Sequence, residues 1–409
     1  MSFLSNIVSK FDPSNMSAFG TLESSELTPV FQGDFTYGLN TQLWSAAVTS
    51  GTGASVDTNA SRLRIQSGTG AAGYAYLTSR KIIRYRAGQG ITARFTPIFS
   101  TPQASSTQLW GVGSVVSNAP YDGFFFGYNG TTLSIAKYTS GTPTWVAQSS
   151  WNGDKVDGSA GTSFTWSPTN GTPAMIKYPY LGFGDIQFFL QNPSDGRWVL
   201  VHVIQYANTS ASVELSNPSL QFVGFTLNSG NTTNITMYCG SVGVFISGPR
   251  TFTSSPRWAS DRQVTVANTE TLIMNIRNAT SYNTVTNRGA IRLNNISVAS
   301  SVTNQTAVVR FYVGTVPGGS PSFAAVSGTT SDGGVTVTAG NSIASVDTAG
   351  TKVGTGVSYV FNLSYSGSGL SVDLTSQELF LAPGEVLSIT ATGTGSLASN
   401  FSVNWSEDT

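Results

Sequence analysis

Large apolar side chains alternate with small or polar ones in the stretch from Asp122 to Tyr138. Alternation with period two predicts β-strands, and Asn129-Gly130 is typical of a tight type I′ turn between them. The predicted register pairs Tyr128 with Thr131 and gathers the large apolar side chains on one face: Phe124, Phe126, Leu133 and Ile135. A second layer must cover that face. The opposite face, which includes Phe125, is mostly small and polar and predicts contact with water.

Short alternating segments of this kind recur along the whole chain. Between residues 31 and 249 they indicate about a dozen strands without a convincing helix, which favours a two-sheet, lectin-like sandwich of the concanavalin type. A stretch rich in proline and small polar residues, 248–256, is a candidate linker. Roughly eight or nine further strands predict a jelly-roll-like sandwich over residues 250–409. The predicted fold is therefore all-β, with two sandwich domains.

Residues 1–30 have a different pattern and form a predicted arm. Five apolar residues recur at the spacing of one helical face: Phe3, Leu4, Ile7, Val8 and Phe11. A single short amphipathic helix is marginal in water, so we expect it to dock on another surface. That surface is either its own domain or a partner subunit, in which the five side chains would be buried as an anchor.

Charge is scarce and balanced. Only 10% of the residues are charged, compared with about 25% in ordinary soluble domains. Twenty acidic and twenty basic residues leave no net charge, so neither nucleic acid nor an anionic membrane is indicated as a partner. No run approaches the ~20 apolar residues that cross a bilayer. A weakly charged surface favours association, which is typical of a component of an assembly.

One cluster of basic residues interrupts this pattern: Arg80, Lys81, Arg84 and Arg86. It could hold an acidic partner surface or nucleic acid. Because Tyr85 is the only aromatic residue among them, base stacking along the run is not indicated. A solvated or inter-subunit strand face is the favoured interpretation.

The chain has one cysteine, Cys239, and one histidine, His202. A disulfide within the chain and a cysteine-based zinc site are therefore excluded, and so are sites that need several imidazoles. Cys239 is predicted to be an inert buried thiol. His202 lies within a strand and is predicted to be a hydrogen-bonded core residue, with a functional role as the alternative. The sequence predicts no cofactor and no metal.

Flat aromatic rings near amides could stack on sugars. Trp145, Trp151, Asn152 and Trp166 lie in a region rich in glycine and asparagine and are the candidate carbohydrate-binding residues. The alternative is that these tryptophans cap the open end of the sandwich as core residues.

Catalysis is not indicated by the carboxylates. A glycosidase needs two of them about 5–9 Å apart, and Glu214 is the only glutamate between residues 31 and 249. Glu214 beside an aspartate is the only candidate pair. Asn152, Asp154 and Asp157 could offer oxygens to calcium, but Lys155 opposes the charge, and a solvated turn is the favoured interpretation.

Five segments of the chain resemble a family of virion proteins. They are the runs 84–90, 93–96 and 122–130, the early stretch 26–44 and the closing stretch 381–408. Together they are similar to structural proteins of large double-stranded DNA viruses and phages that carry a lectin-like module. The resemblance implies a minor capsid, vertex or fibre-like component and no catalytic residue.

The sequence thus predicts a non-enzymatic virion structural protein, assembled in the host cytoplasm and held by contacts with other capsid proteins. A homo-oligomer is expected, with a trimer suggested by analogy with the family. The alternative is a carbohydrate-binding host-attachment protein on the virion surface, which would bind host glycans. A glycosidase is the least favoured functional interpretation of the sequence.

Overall fold

The chain divides into two compact units, residues 1–251 and 252–409. The linker composition predicts this boundary two residues earlier, between residues 249 and 250. The five predicted anchor residues Phe3, Leu4, Ile7, Val8 and Phe11 lie outside the described residues. The computed structural model describes residues 27–248, 256–300, 305–332, 335–353, 358–366, 369–377 and 379–408.

The described part of the first unit contains fifteen strands, and each is antiparallel to its neighbours. The strands are β1 (Leu27–Asp34), β2 (Trp44–Val48), β3 (Ser55–Asn59), β4 (Arg62–Gln66), β5 (Tyr74–Ser79), β6 (Ile91–Ile98), β7 (Ser106–Val116), β8 (Ala119–Asn129), β9 (Thr132–Thr139), β10 (Thr142–Ala147), β11 (Ala174–Tyr178), β12 (Ile186–Gln191), β13 (Trp198–Ile204), β14 (Gln221–Asn228) and β15 (Thr236–Ser247). Residues 27–30, which the sequence assigns to the arm, belong to β1.

These strands form two sheets that face each other. One sheet has eight strands in the order β13-β12-β11-β6-β15-β4-β3, with β1 also paired to β15. The other has seven strands in the order β10-β9-β8-β7-β14-β5-β2. Aromatic rings from the two sheets meet in the space between the sheets. The ring centroids of Phe95 in β6 and Phe222 in β14 lie 5.4 Å apart, and those of Phe188 in β12 and Phe126 in β8 lie 5.3 Å apart. The alternation of side chains thus buries one face of each sheet in a shared core.

The β8–β9 hairpin differs from the prediction at its turn. Asn129 pairs with Thr132 and Tyr128 with Leu133, so the two-residue loop consists of Gly130 and Thr131. Only Gly130 of these has a positive φ, of 60°, which is typical of a type II′ turn and not of the predicted type I′. Each residue of β8 therefore pairs with a residue of β9 that lies two positions further along the chain than the predicted partner. A shift by two keeps every side chain on its predicted face, because strands alternate with period two.

The second unit also contains fifteen described strands. They are β16 (Arg257–Val266), β17 (Thr271–Asn278), β18 (Ser281–Tyr282), β19 (Val285–Thr286), β20 (Ala290–Ser300), β21 (Thr306–Val313), β22 (Val316–Gly318), β23 (Ala324–Asp332), β24 (Val335–Asp347), β25 (Thr351–Val353), β26 (Ser358–Ser366), β27 (Leu370–Asp373), β28 (Phe380–Leu381), β29 (Val386–Gly393) and β30 (Leu397–Asp408).

This second unit is a sandwich as well. A five-stranded sheet has the order β16-β30-β20-β27, with β28 paired to β20, and a six-stranded sheet has the order β23-β24-β17-β29-β21-β26. Trp405 of β30 and Phe311 of β21 are both fully buried in the core that the two sheets share. The all-β prediction of two sandwich units is confirmed.

The described residues contain no α-helix, and their only helical segments are short 3₁₀ turns at Gln148–Ser150 and Thr375–Gln377. None of the described helical segments is long and apolar enough to span a bilayer.

Candidate functional site

The face of the seven-stranded sheet that points away from the core carries a second apolar cluster. All described strands of the first unit belong to its two sheets, so the described part of this unit adds no third sheet over this face. We call it the outer aromatic face. Its members are Tyr74, Tyr76, Leu109, Phe125, Ala136, Tyr138, Trp145, Val223, Phe225 and Leu227.

The strand register brings these side chains together in rows across the sheet. One row joins Tyr76 of β5 to Phe225 of β14 and then to Leu109 of β7. The next row joins Phe125 of β8, Ala136 of β9 and Trp145 of β10. Residues at the same height on neighbouring antiparallel strands lie about 5 Å apart, so side chains from distant parts of the chain form one surface.

The rings in these rows contact one another at both ends of the face. The ring centroids of Tyr74 and Tyr76 lie 6.2 Å apart at 21°, and those of Tyr76 and Phe225 lie 6.3 Å apart at 25°. On the far side, Tyr138 meets Trp145 edge to face at 6.2 Å. Tyr74, Tyr76 and Trp145 remain partly exposed. Partly exposed rings therefore flank the apolar floor, near-parallel at the Tyr74–Tyr76 end and edge to face at the Trp145 end.

Phe125 forms part of that floor and is fully buried. Its ring lies over Gly113 and Gly123, where a Cβ would come within 2.3 Å and 2.9 Å of ring carbons. Gly123 has a φ of +145°, in the region that favours glycine. The prediction that the face around Phe125 is mostly polar and wet is wrong, because neighbouring strands supply apolar partners that the hairpin sequence does not contain.

The tip of the β7–β8 hairpin lies against this face. The register shifts between Gly113 and Val115, which is a β-bulge that bends the strand. Val115 packs against the apolar cluster. Beyond it, the hydroxyl of Tyr76 donates a hydrogen bond to Oδ1 of Asn118 at 3.2 Å, across the intervening strand β14. The bulge therefore turns the hairpin tip towards the Tyr74–Tyr76 end of the face.

The outer aromatic face has no ionised group at neutral pH. The outward positions of β5, β7, β8, β9, β10 and β14 contain no acidic or basic residue. Burial raises the pKa of the Tyr138 phenol to about 12 and raises the pKa of Tyr76 as well. Neutral polar side chains lie on the same face: Thr78 and Ser134 are buried, and the amide nitrogen of Gln221 donates to the backbone oxygen of Ser79. The surface is suited to a neutral ligand with flat apolar patches and many hydroxyls.

The structure separates the four predicted carbohydrate-binding residues. Trp151 and Trp166 lie in the core between the sheets, 2% and 5% exposed, so their rings offer no face to a sugar. They pack against each other and against Phe126. Asn152 uses its side-chain amide to hydrogen-bond with the backbone of Val203 in both directions. Of the four, Trp145 alone lies on the outer aromatic face.

His202 and Cys239 are both buried. Nδ1 of His202 accepts a hydrogen bond from the Asn152 backbone N–H at 3.2 Å, and burial lowers the pKa of the imidazole. Burial raises the pKa of the Cys239 thiol to about 12. The predictions of a hydrogen-bonded core histidine and of a buried thiol are confirmed, and the inertness of that thiol stays a prediction.

Glu214 is also buried, in the loop between β13 and β14. Its side chain has no solvent exposure, and neither carboxyl oxygen accepts a hydrogen bond. Nζ of Lys137 lies 3.8 Å from Oε1. Desolvation raises the pKa of Glu214 to about 8, Lys137 opposes that rise, and the charge of Asp185 adds to it. A polysaccharide cannot reach this carboxyl group in the present arrangement.

The aspartates weighed as possible calcium ligands, Asp154 and Asp157, bind backbone amides instead. The two oxygens of Asp154 accept hydrogen bonds from the N–H groups of Val156 and Ser163. Oδ1 of Asp157 accepts one from the backbone N–H of Ser159, and hydrogen bonds from the side chain and the backbone of Ser159 lower the pKa of Asp157. The described residues contain no group of three or more histidine, cysteine, aspartate or glutamate side chains that could hold a metal ion.

The basic cluster is engaged within the protein. The guanidinium of Arg80 donates to the backbone oxygen of Thr41, and desolvation lowers the pKa of Arg80. Lys81, Arg84 and Arg86 also have partners.

Comparison with family models gives no match, and comparison with curated protein sequences gives none either. Among solved structures, the chain is similar to the catalytic domain of an endo-1,3-β-glucanase (laminarinase) from Thermotoga petrophila, with 12% identity and a TM-score of 0.36 over 54% of this chain and 98% of that one. It is also similar to arcelin-5, a lectin-like defence protein of Phaseolus vulgaris, with 12% identity and a TM-score of 0.33 over 54% and 99%. A lectin from Bauhinia forficata in complex with GalNAc gives 13% identity and a TM-score of 0.33 over 54% and 99%. At these values the likenesses carry no conclusion about ligand or activity.

Proposed function

We propose that the first unit binds a neutral saccharide on its outer aromatic face. The observation that supports this proposal is a rim of partly exposed rings, Tyr74, Tyr76 and Trp145, around an apolar floor that is itself buried. Aromatic rings that stay partly exposed together on a folded unit indicate a binding site. Tyrosine and tryptophan suit such a site because each joins a flat apolar ring to a hydrogen-bonding group.

The outward positions of this face carry no charge, which favours a neutral ligand over an acidic or basic one. An acidic or basic ligand would be desolvated here without an opposite charge to compensate, which is unfavourable. A neutral saccharide presents C–H surfaces that can stack on Tyr76 and Trp145 and hydroxyls that can donate to the side-chain oxygen of Gln221, whose residue is partly exposed. Binding is therefore expected to depend little on salt concentration.

The proposal is tested by screening the full chain on a glycan array and titrating it calorimetrically with cellohexaose, laminarihexaose and maltohexaose. We expect binding to at least one neutral glycan, weakened at least tenfold by Tyr76→Ala and by Trp145→Ala. Tyr37→Ala is the matched control, because Tyr37 is a fully exposed aromatic residue outside this face. The proposal would be refuted if the protein bound no glycan on the array, or if the wild type and Trp145→Ala bound equally well.

The role in a virion stays a prediction that rests on the sequence resemblance, and with it stay the expected location in the particle, the capsid partners and the homo-oligomer. Deletion of residues 1–12 tests the anchor within it: incorporation into particles should be lost while both units stay folded. We also keep the expectation that the protein is not an enzyme, which the burial of Glu214 supports. Turnover of a polysaccharide that Glu214→Gln abolishes would contradict it.

A further inference from the structure

A groove of about 510 Å³ crosses the outward face of the eight-stranded sheet. This is the opposite side of the first unit from the outer aromatic face, because the core lies between the two sheets. The volume is in the range of small-molecule sites. Side chains and backbone from β1, β6, β13, β15 and the residue before β11 line it, including Gln32, Asp34, Arg94, Thr96, Trp198 and Phe245.

Arg94 is the only basic residue in the lining. Its guanidinium lies 5.6 Å from the ring centroid of Phe245. Its Nε is buried and has no hydrogen-bond partner, and among the described residues no carboxylate lies within ion-pair distance of it. A buried, unpartnered donor on a cation is costly, because its hydration is lost without replacement. The guanidinium group as a whole therefore has no protein acceptor among the described residues, and a ligand in the groove can supply one to its terminal nitrogens.

The one acidic residue of the lining, Asp34, does not supply that acceptor. Its Oδ1 accepts a hydrogen bond from the backbone N–H of Thr36. The other polar groups in the groove are neutral, namely the amide of Gln32 and the hydroxyls of Thr96 and Ser241. The guanidinium is therefore free to bind an anionic group of a ligand, in the planar two-bond geometry that carboxylate and sulfate accept.

The strand at the middle of the groove, β6, leaves no main-chain groups for a peptide. Arg94 of β6 is paired with Met175 on one side and with Gly243 of β15 on the other. At Arg94 the groove therefore lies on the face of the sheet, and an extended peptide could not add there as a further strand. Recognition must come from side chains: the flat rings of Trp198 and Phe245, the neutral groups and one cation.

We propose that this groove is a second binding site, for a saccharide that carries a carboxylate or sulfate group. Arg94 binds the anionic group, and Trp198 stacks on a sugar ring. The site does not depend on the neutral-saccharide site, since the two lie on different sheets and differ in charge.

The full chain is titrated calorimetrically with a hexamer of galacturonate, a heparin-derived hexasaccharide and cellohexaose. We expect at least one of the two acidic probes to bind, with an affinity that falls as salt is raised. Which of the two binds distinguishes carboxylate from sulfate. Arg94→Gln should weaken that binding at least tenfold, because a charge-assisted pair is lost, and Trp198→Ala should weaken it as well.

Arg62→Gln is the matched control. Arg62 also lies over a ring on this sheet, 4.5 Å from the centroid of Tyr238, but it is not in the lining of the groove. Its replacement should leave the affinity unchanged, and circular dichroism checks the folding of each variant. The proposal is overturned if neither acidic probe binds, or if Arg94→Gln and Arg62→Gln bind equally well. Trp145→Ala should leave the binding of the acidic saccharides unchanged. The proposal for this groove and the proposal for the outer aromatic face can therefore be refuted independently.

Discussion

Replacing Glu214 by glutamine should stabilise the first unit, and the gain should grow with pH. The carboxyl group is buried, accepts no hydrogen bond and has Lys137 3.8 Å away as its cation. Desolvation is the largest cause that raises its pKa, to about 8 from the ordinary 4.5. In the native state Glu214 is therefore mostly neutral at pH 7, whereas in the unfolded chain it is ionised. Glutamine has the same shape and carries no charge at any pH.

The magnitude follows from proton linkage. Below about pH 4.5 both states hold the proton, and Glu214 does not make stability depend on pH. Between about pH 4.5 and pH 8 the native state holds one more proton, so the free energy of unfolding falls by about 1.4 kcal/mol per pH unit from this group. The loss at pH 7 is about 3 kcal/mol, and above pH 8 it levels off near 5 kcal/mol. The Glu214→Gln variant should therefore be more stable than the wild type by about 3 kcal/mol at pH 7 and by about 5 kcal/mol above pH 8.

Urea unfolding followed by tryptophan fluorescence at pH 4, 5.5, 7 and 8.5 measures the effect, since six of the eight tryptophans lie in the first unit. The difference between Glu214→Gln and wild type should be near zero at pH 4 and rise with pH. Asp195→Asn is the control for the loss of one carboxylate, because Asp195 is an exposed turn residue of the same unit. A constant difference for Glu214→Gln, or a destabilisation at pH 7, would refute the reasoning.

Three further outcomes follow from the packing. Trp151→Ala should lower the free energy of unfolding by about 3–5 kcal/mol because it empties a core site, whereas Trp145→Ala should cost about 1 kcal/mol, as urea titration would show. Gly224→Ala should prevent stable folding of the first unit, since its Cβ would lie 2.1 Å from the Trp110 ring; a native thermal transition in that variant would contradict this. Cys239 should resist a thiol reagent at pH 8 in the folded protein and react once urea is added, because the thiol is buried and its pKa is about 12.

The fold class could be predicted because alternation is a local property. The faces of the β8–β9 hairpin are right although the turn is not: the pattern of apolar residues sets the face, while the loop sets the partner. Asn129-Gly130 indicated the wrong loop because the turn chemistry of Gly130-Thr131 is also favourable, with the glycine at the first loop position.

The outer aromatic face could not be predicted because its members are brought together by strand order. Tyr76, Phe125, Trp145 and Phe225 come from β5, β8, β10 and β14, and nothing in the sequence says that β14 lies between β5 and β7. The local signal was present at Phe125, a large apolar residue at an outward position. Trp151 was misleading for the same reason: it lies six residues from Trp145 in sequence, but the two rings lie on opposite sides of the seven-stranded sheet.

The central claim, that a neutral saccharide binds on the outer aromatic face, is tested most directly by NMR of the tryptophan indole groups. The protein has eight tryptophans, which give eight resolvable N–H signals once assigned by substitution. On titration with the neutral hexasaccharide that binds, the signal of Trp145 should shift in a saturable way, while the core signals of Trp151 and Trp166 should stay in place. A saturable shift at Trp151 or Trp166 with none at Trp145 would contradict the account.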